Sequence, residues 1–401
     1  MPDVLIVADT VRSPELRHEV PLAAPDPFLY AEVGGKRTVV ISSLEAGRVR
    51  ELGTDLEVLT LEDVGMDDLL KRGLDSYAVD RELHLSACRQ LGLEHAVTPL
   101  SFPLGHADHL RANGIELTSD QVFFDQRRRV KTAPELAGIR RACRAVEAGV
   151  AVGAEMLRSA QRSNGVLTLG GEPLTCERIK LEVERAFGEH GAAADEFIVS
   201  HGPQTAVGHD GGSGPIASDD VVLFDLFPRD RESACFSDFT RTFSLGAPSA
   251  ELAEYHRLAK EALDLAAAAV KPGVKGSDIH RQVCDLFHEH GHKTQLHKEE
   301  GESLVDGYFH ATGHGVGLEV HERPGVGRVE SEPLVEGDVI ALEPGLYRNG
   351  FGGVRLEDLI LVTAEGAEVL TSYPYDFELG ASTRSPRSSS RTGVTRRRRS
   401  S

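Results

Sequence analysis

Short apolar runs alternate with helical periodicity through the first third of the chain. Val4–Val7, Thr38–Ser42, Leu56–Leu59 and Ala96–Thr98 read as strands, with helices over Asp80–Leu91 and Leu104–Asn113. That alternation predicts a small α/β domain over residues 1–125. The pattern then changes. Thr132 and Glu135 form a capping box with Pro134 in the first turn, and Leu136, Ile139, Cys143, Val146 and Val150 share one face of the helix that follows. The domain boundary therefore falls near residues 120–132. Beyond it, helices at 134–160 and 175–187 precede strands near 195–200, 220–227 and 235–245. Helices at 250–269 and 277–290, the second closed by Gly291, precede strands near 338–347 and 353–363. Asn349-Gly350 is a hairpin turn between the last two. The same order occurs twice, so residues 126–380 are expected to form an internally duplicated α+β domain, with curved antiparallel sheet and helices outside. Residues 381–401 are Arg or Ser at 14 of 21 positions and are expected to be a disordered tail.

Length and composition agree with two domains, at 401 residues and 40% hydrophobic. The formal net charge is −19. The last 21 residues hold seven arginines and no acid, so the body before them carries −26. An acidic body argues against nucleic-acid binding, which needs clustered Lys and Arg, and suits a protein that gathers carboxylates around cations. No run approaches the ~20 apolar residues of a membrane span, and Met1-Pro2-Asp3 opens no signal peptide. The five cysteines are odd in number and at least 33 residues apart, which excludes a CxxC site. A soluble, reduced, cytoplasmic protein is expected.

The chemistry lies where acids interrupt apolar strand patterns. Asp225 ends Val221–Phe224, Asp238 is embedded in Phe236–Thr240, Glu343 follows Ile340–Leu342, and Glu357 sits in Val354–Ile360. An unpaired buried carboxylate is costly, so such residues need cations. The separations repeat, 13 residues from Asp225 to Asp238 and 14 from Glu343 to Glu357. Each half of the duplication thus offers a hairpin with two inward acids, and facing halves would bring together four negative charges, matching two divalent ions. Salt bridges to Arg241 or Arg355 are the alternative for any single acid; the repetition favours the ions.

His310, His314 and His321 lie among glycines that let backbone approach a ligand, and suggest a metal ligand with proton handlers. Such an oxygen-rich set favours Mn²⁺, Fe²⁺ or Co²⁺ over a thiolate zinc site. Other clusters read as structural. His288, His290 and His292 decorate a helix C-terminus. His106 and His109 share a helical face without a carboxylate constellation. Gly211–Pro215 fails the nucleophile-elbow pattern and reads as a mobile loop. Gly34-Gly35-Lys36 lacks the first glycine of a phosphate loop, since Tyr30 stands there.

The segment His310–Glu322, together with Ser237–Thr242 (SDFTRT), Leu342–Tyr347 (LEPGLY) and Gly353–Asp358 (GVRLED), resembles the aminopeptidase P, prolidase and methionine aminopeptidase family of dinuclear metallopeptidases. The resemblance covers nearly the whole chain and is nearest to Xaa-Pro aminopeptidase. It implies the "pita-bread" fold for the C-terminal domain, preceded by the smaller α/β domain of the aminopeptidase P, prolidase and creatinase branch. It implies two divalent ions, Mn²⁺ foremost, with Co²⁺, Fe²⁺ or Zn²⁺ as other occupants. Their ligands would be Asp225, Asp238, His314, Glu343 and Glu357, with Asp238 and Glu357 shared by both ions. Glu343 would also shuttle protons. His321 and His209 would act on the substrate side, and His310 and Arg355 would line the proline side. The implied partners are peptides with proline in second position, with no membrane and no specific nucleic acid, and a homodimer or tetramer through the N-terminal domain.

Two departures stand out. Ala311 replaces the more usual Gly or Ser, and the 13-residue spacing of the two aspartates exceeds the family's common 11. The two extra residues preserve the parity of facing and fall within Phe227–Ala234, so the turn and not the site should absorb them. An Xaa-Pro dipeptidase (prolidase) would share all five ligands. A methionine aminopeptidase normally lacks the N-terminal domain. A creatinase-like hydrolase or a non-enzymatic binding protein would lack the full ligand set.

Overall fold

The computed structural model describes residues 2–380; the segment expected to be a disordered tail, 381–401, lies outside the described residues. The N-terminal sheet has six strands: β1 (Val4–Ala8), β2 (Phe28–Val33), β3 (Lys36–Ile41), β4 (Glu57–Thr60), β5 (His95–Thr98) and β6 (Glu116–Ser119). Their order is β4-β3-β2-β1-β5-β6. The central pairs β1/β2 and β2/β3 are antiparallel, whereas β4, β5 and β6 join in parallel after helical crossovers. Both faces are covered, one by a core around Leu5, Leu29 and Leu83, the other by one around Ile6, Tyr30 and Phe124. Gly34 and Gly35, with φ of 58° and 84°, form the β2–β3 hairpin turn.

The larger domain repeats one arrangement. In its first half, helices Ala133–Ser159 and Cys176–Glu189 pack on a three-stranded sheet of Ile198–His201, Val221–Leu226 and Phe239–Ser244. In its second half, helices Ala250–Ala269 and Gly276–Glu289 pack on strands that include Val339–Leu342 and Asp358–Thr363. The capping box at Thr132 is present, its hydroxyl accepting from the Glu135 N–H at 3.3 Å while the Glu135 carboxylate accepts from the Thr132 N–H at 2.8 Å. This is the pita-bread architecture, with a smaller domain before it.

The basic run between the domains is internal. Arg127 reaches back to Glu19 (2.7 Å) and Glu32 (2.9 Å). Arg129 makes a paired contact with Asp338 at 2.9 and 2.7 Å. Arg128 bonds Glu319 at 2.7 Å, and Lys131 bonds Glu322. Arg128 and Lys131 thus hold the loop that carries His321, while Arg127 grips the small domain and Arg129 the residue before strand Val339–Leu342.

Three sequence expectations change. Strands placed at 338–347 and 353–363 are each broken, at Glu343-Pro344 and at Leu356-Glu357. His106 and His109 do have carboxylate partners, Asp80 at 2.8 Å and Glu82 at 3.1 Å, supplied by the preceding helix and so invisible from their own. The glycine loop expected to be mobile is anchored. Val199 N–H donates to Gly211 at 3.1 Å, and Cys176 N–H to Gly214 at 3.1 Å. At Gly212, with φ +77°, a side chain would strike the Val199 carbonyl.

Candidate metal centre

Strand register explains why the acids converge. Asp225 pairs with Thr240, so Asp238, two positions earlier, faces the same way. The longer spacing is taken up by a turn. Arg229-Asp230 pairs with Ala192-Ala193, and Arg141 grips Asp230 at 2.9 Å through both oxygens. In the second half, Leu342 pairs with Asp358, and Gly345 with Arg355. The register is the same on both sides of the break, which sets Glu343 opposite Glu357. Each uses its backbone N–H elsewhere. Glu343 donates to Thr312 at 2.8 Å, and Glu357 donates across to Thr240 of the first half at 3.0 Å. The break at Glu357 is therefore a point where the two halves are joined, and the break at Glu343 ties it to the segment that carries His314.

His314 comes from a third segment, Gly313–Gly315, pressed against Val339–Leu342. A side chain at Gly313 would stand 1.8 Å from the Ala341 carbonyl, so only glycine admits this approach. His314 Nδ1 donates to the Gly315 carbonyl at 3.1 Å, which leaves Nε2 as a lone-pair donor. That atom lies 3.6 Å from Asp238 and 3.8 Å from Glu343. Ligand atoms of Asp238, His314 and Glu357 all lie within 4.8 Å of one another.

Glu357 gives the sharpest test of fit. It is 1% exposed. Its Oε2 accepts from Thr240 Oγ1 at 2.7 Å, while Oε1 is buried with no hydrogen-bond partner. An orphaned carboxylate oxygen beside Asp238 and a lone-pair imidazole fits a cation. Arg355 supplies part of the positive charge by pairing with Asp225, and its Nε lies 3.9 Å from Glu343. One guanidinium cannot balance four carboxylates, so the donor set fits divalent ions.

All nine predicted site residues line one cavity of about 740 Å³: Asp225, Asp238, His314, Glu343, Glu357, His209, His310, His321 and Arg355. His209 and His321 are exposed on its wall. Tyr347, which the sequence analysis did not single out, ties this set together. Its hydroxyl contacts His310 Nε2 at 2.9 Å and accepts from Arg355 at 3.1 Å. Thr240, the support of Glu357, was also overlooked. Both stood inside quoted motifs, LEPGLY and SDFTRT, but neither is a ligand type. Phe197, Phe227 and Phe309 add apolar wall, and Lys180 and Glu196 add charge.

Burial and mutual repulsion hold protons in this cluster. Burial first, then Glu357, Asp225 and Glu343, raises the Asp238 carboxyl well above its ordinary range. Burial, then Glu343 and Asp225, does the same to Glu357. Burial pushes Glu343 up to about 7. His314 is lowered to about 4, by burial and then by His321, so its imidazole is neutral and ready to ligate. Acids raised in the folded state favour folding of the metal-free protein at low pH. That contribution is lost as pH rises through their raised values. Cations require the ionised forms, so metal binding should expel protons and tighten as pH rises toward 7 and above. Calorimetric titration of Mn²⁺ near pH 6.5, in two buffers of different ionisation enthalpy, should show net proton release. Binding without proton release would contradict this electrostatic picture.

The chain matches the model of metallopeptidase family M24 over residues 137–364. It is 31% identical over 350 residues to an uncharacterised peptidase of Staphylococcus aureus strain USA300, covering 86% of this chain and 87% of the relative. Its fold is similar to an X-Pro aminopeptidase from Thermotoga maritima (TM-score 0.75, 22% identity, 94% of this chain and 97% of that one). It is likewise similar to an Xaa-Pro dipeptidase from Bacillus anthracis (TM-score 0.75, 21% identity, 94% of each chain). A prolidase from Pyrococcus horikoshii matches at a TM-score of 0.72 and 25% identity, over 94% of this chain and 95% of that one.

Proposed function

The chain belongs to metallopeptidase family M24, and from that premise we propose that it releases the N-terminal residue from peptides with proline in second position. The observation that carries the reading is the set of nine side chains that line one cavity, among them Glu357 with its orphaned oxygen. Asp225, Asp238, His314, Glu343 and Glu357 would hold two divalent ions, Mn²⁺ foremost. When bound, such ions polarise the scissile carbonyl and make water a nucleophile at neutral pH.

The remaining work falls to the protein. Glu343, ionised once cations are bound, can take the proton of the attacking water and return it to the leaving nitrogen. His321 and His209 face the cavity and can donate to the carbonyl oxygen as negative charge develops there. An Xaa-Pro bond has no amide N–H, so a site for it needs shape in place of that donor. His310 and Phe309 supply it, with Tyr347 packed behind them. Their rings pack with centroids 5.1 Å apart for Phe309–Tyr347 and 5.4 Å for His310–Tyr347, beside Arg355. His310 is lowered to about 3 by burial and then by Arg355, so it meets the pyrrolidine ring uncharged. The five cysteines are all free and buried, which supports a reducing, cytoplasmic setting. No helix among the described residues is long and apolar enough to cross a membrane.

A second reading, Xaa-Pro dipeptidase, is favoured by Lys180. Its ammonium stands on the cavity wall and donates to the Gly212 carbonyl at 3.0 Å, where it could meet a dipeptide carboxylate. Parallel assays of Xaa-Pro-Yaa and Xaa-Pro with added Mn²⁺ separate the two. Release of Xaa from the tripeptide is expected. Cleavage of the dipeptide alone would establish the second reading, and cleavage of neither would contradict both.

A further inference from the structure

The small domain carries a second constellation of ligand-type side chains, and it is independent of the catalytic reading. Asp80 and His84 lie one turn apart on helix Ser76–Leu91, on the face turned toward helix Leu104–Ala112. The second helix contributes His106. Ligand atoms of Asp80, His84 and His106 all lie within 4.8 Å of one another. His106 Nε2 is 2.8 Å from one Asp80 oxygen, and His84 Nδ1 is 3.9 Å from the other. The two imidazole rings have centroids 4.8 Å apart at an angle of 54°.

The hydrogen bond from His106 explains half of this cluster and leaves the other half unexplained. His84 is only 5% exposed, and its side chain 7%, yet its Nδ1 has no hydrogen-bond partner. The Asp80 oxygen stands 3.9 Å away, too far for a hydrogen bond. A buried imidazole nitrogen left bare in this way is costly. Burial also lowers His84 to about 4, so the ring is neutral and offers a lone pair. Donor atoms around a tetrahedral ion with bonds near 2 Å stand roughly 3.4 Å apart. The three ligand atoms, all within 4.8 Å of one another, need only small side-chain shifts to reach that separation. Asp80 is half exposed, so an ion could enter from solvent and keep water as a fourth ligand.

We propose that Asp80, His84 and His106 form a third metal site, for an imidazole-preferring ion such as Zn²⁺, which staples the two helices of the N-terminal domain together. Two imidazoles and one carboxylate distinguish it from the oxygen-rich catalytic set. An ion that binds only the folded helix pair raises the stability of the domain.

The test uses the full chain carrying Asp238→Asn and Glu357→Gln, which removes the competing catalytic ligands. Zn²⁺ alone is added, excess is removed by gel filtration, and bound metal and the thermal midpoint are measured. A single retained equivalent and a raised midpoint are expected, with both lost on adding Asp80→Asn or His106→Ala. Asp80→Asn alters a half-exposed side chain, and circular dichroism of the metal-free variants checks their fold. In the otherwise unaltered chain, His106→Ala should leave peptide hydrolysis at its full rate. Equal Zn²⁺ retention with and without Asp80→Asn and His106→Ala would overturn the proposal. So would the absence of saturable Zn²⁺ binding, or a loss of hydrolysis in His106→Ala.

Discussion

Glu357→Gln is expected to lower peptide hydrolysis by a factor on the order of 10³ and to weaken metal binding, while making the metal-free protein more stable. The side chain keeps its shape, and its amide oxygen can still accept from Thr240. What it loses is the charge that a cation needs and that Asp238 resists. In the metal-free protein that charge is a burden, because burial and neighbouring acids already hold Glu357 well above its ordinary range. Removing it should raise metal-free stability by about 1 kcal/mol, the usual trade between active-site strain and stability. Metal content, hydrolysis rate and urea denaturation of wild type and variant check the three parts separately. A fully metallated, active Glu357→Gln protein would refute the assignment of this residue as a ligand.

Arg241→Met should be among the most destabilising single changes, at about 3–5 kcal/mol. Arg241 is 1% exposed, yet every face of its guanidinium is used. It pairs with Asp358 at 3.0 Å and donates to the carbonyls of Thr240 (3.0 Å), Glu357 (2.7 Å), Tyr373 (3.1 Å) and Pro374 (3.3 Å). Phe239 and Tyr375 sandwich it, with ring centroids 4.1 and 4.2 Å from its central carbon. Methionine would fill much of the volume but leave Asp358 as a buried charge without its arginine, and four carbonyls short of a donor. Activity should fall with stability, because the Glu357 carbonyl hangs on this group. Arg241→Lys should be intermediate, since an ammonium keeps the charge but cannot serve the same fork. Guanidinium denaturation of the three proteins gives the ranking. A loss below about 1 kcal/mol for Arg241→Met would contradict the network's importance.

Much of this architecture was legible in the chain, and the exceptions share a cause. The capping box at Thr132, the helices of the larger domain and the parity of Asp225 and Asp238 follow from local periodicity, which sequence displays directly. Strand Phe28–Val33 was missed because its Glu32 breaks the apolar run. That acid is buried with Arg127, far along the chain, as its ionic partner. The breaks at Glu343 and Glu357 were read as continuous strand, since alternation looks the same whether the backbone bonds one neighbour or changes partners. Arg355 was offered as a salt-bridge partner for any one of the acids, but that it meets Asp225 required the two halves to be set face to face. His106 and His109 were separated from Asp80 and Glu82 for the same reason: each helix is regular by itself, and the pairing lies between helices. Local order is written in short-range pattern, whereas contacts between elements depend on a topology that no single window contains.

The most direct test of the dinuclear metallopeptidase reading is hydrolysis of Xaa-Pro-Yaa by one preparation measured three times: as purified, after EDTA, and after Mn²⁺ is restored to about two ions per chain. The account predicts activity lost with EDTA and recovered with Mn²⁺, in proportion to metal bound. Hydrolysis that persists in protein shown to be free of metal would contradict it.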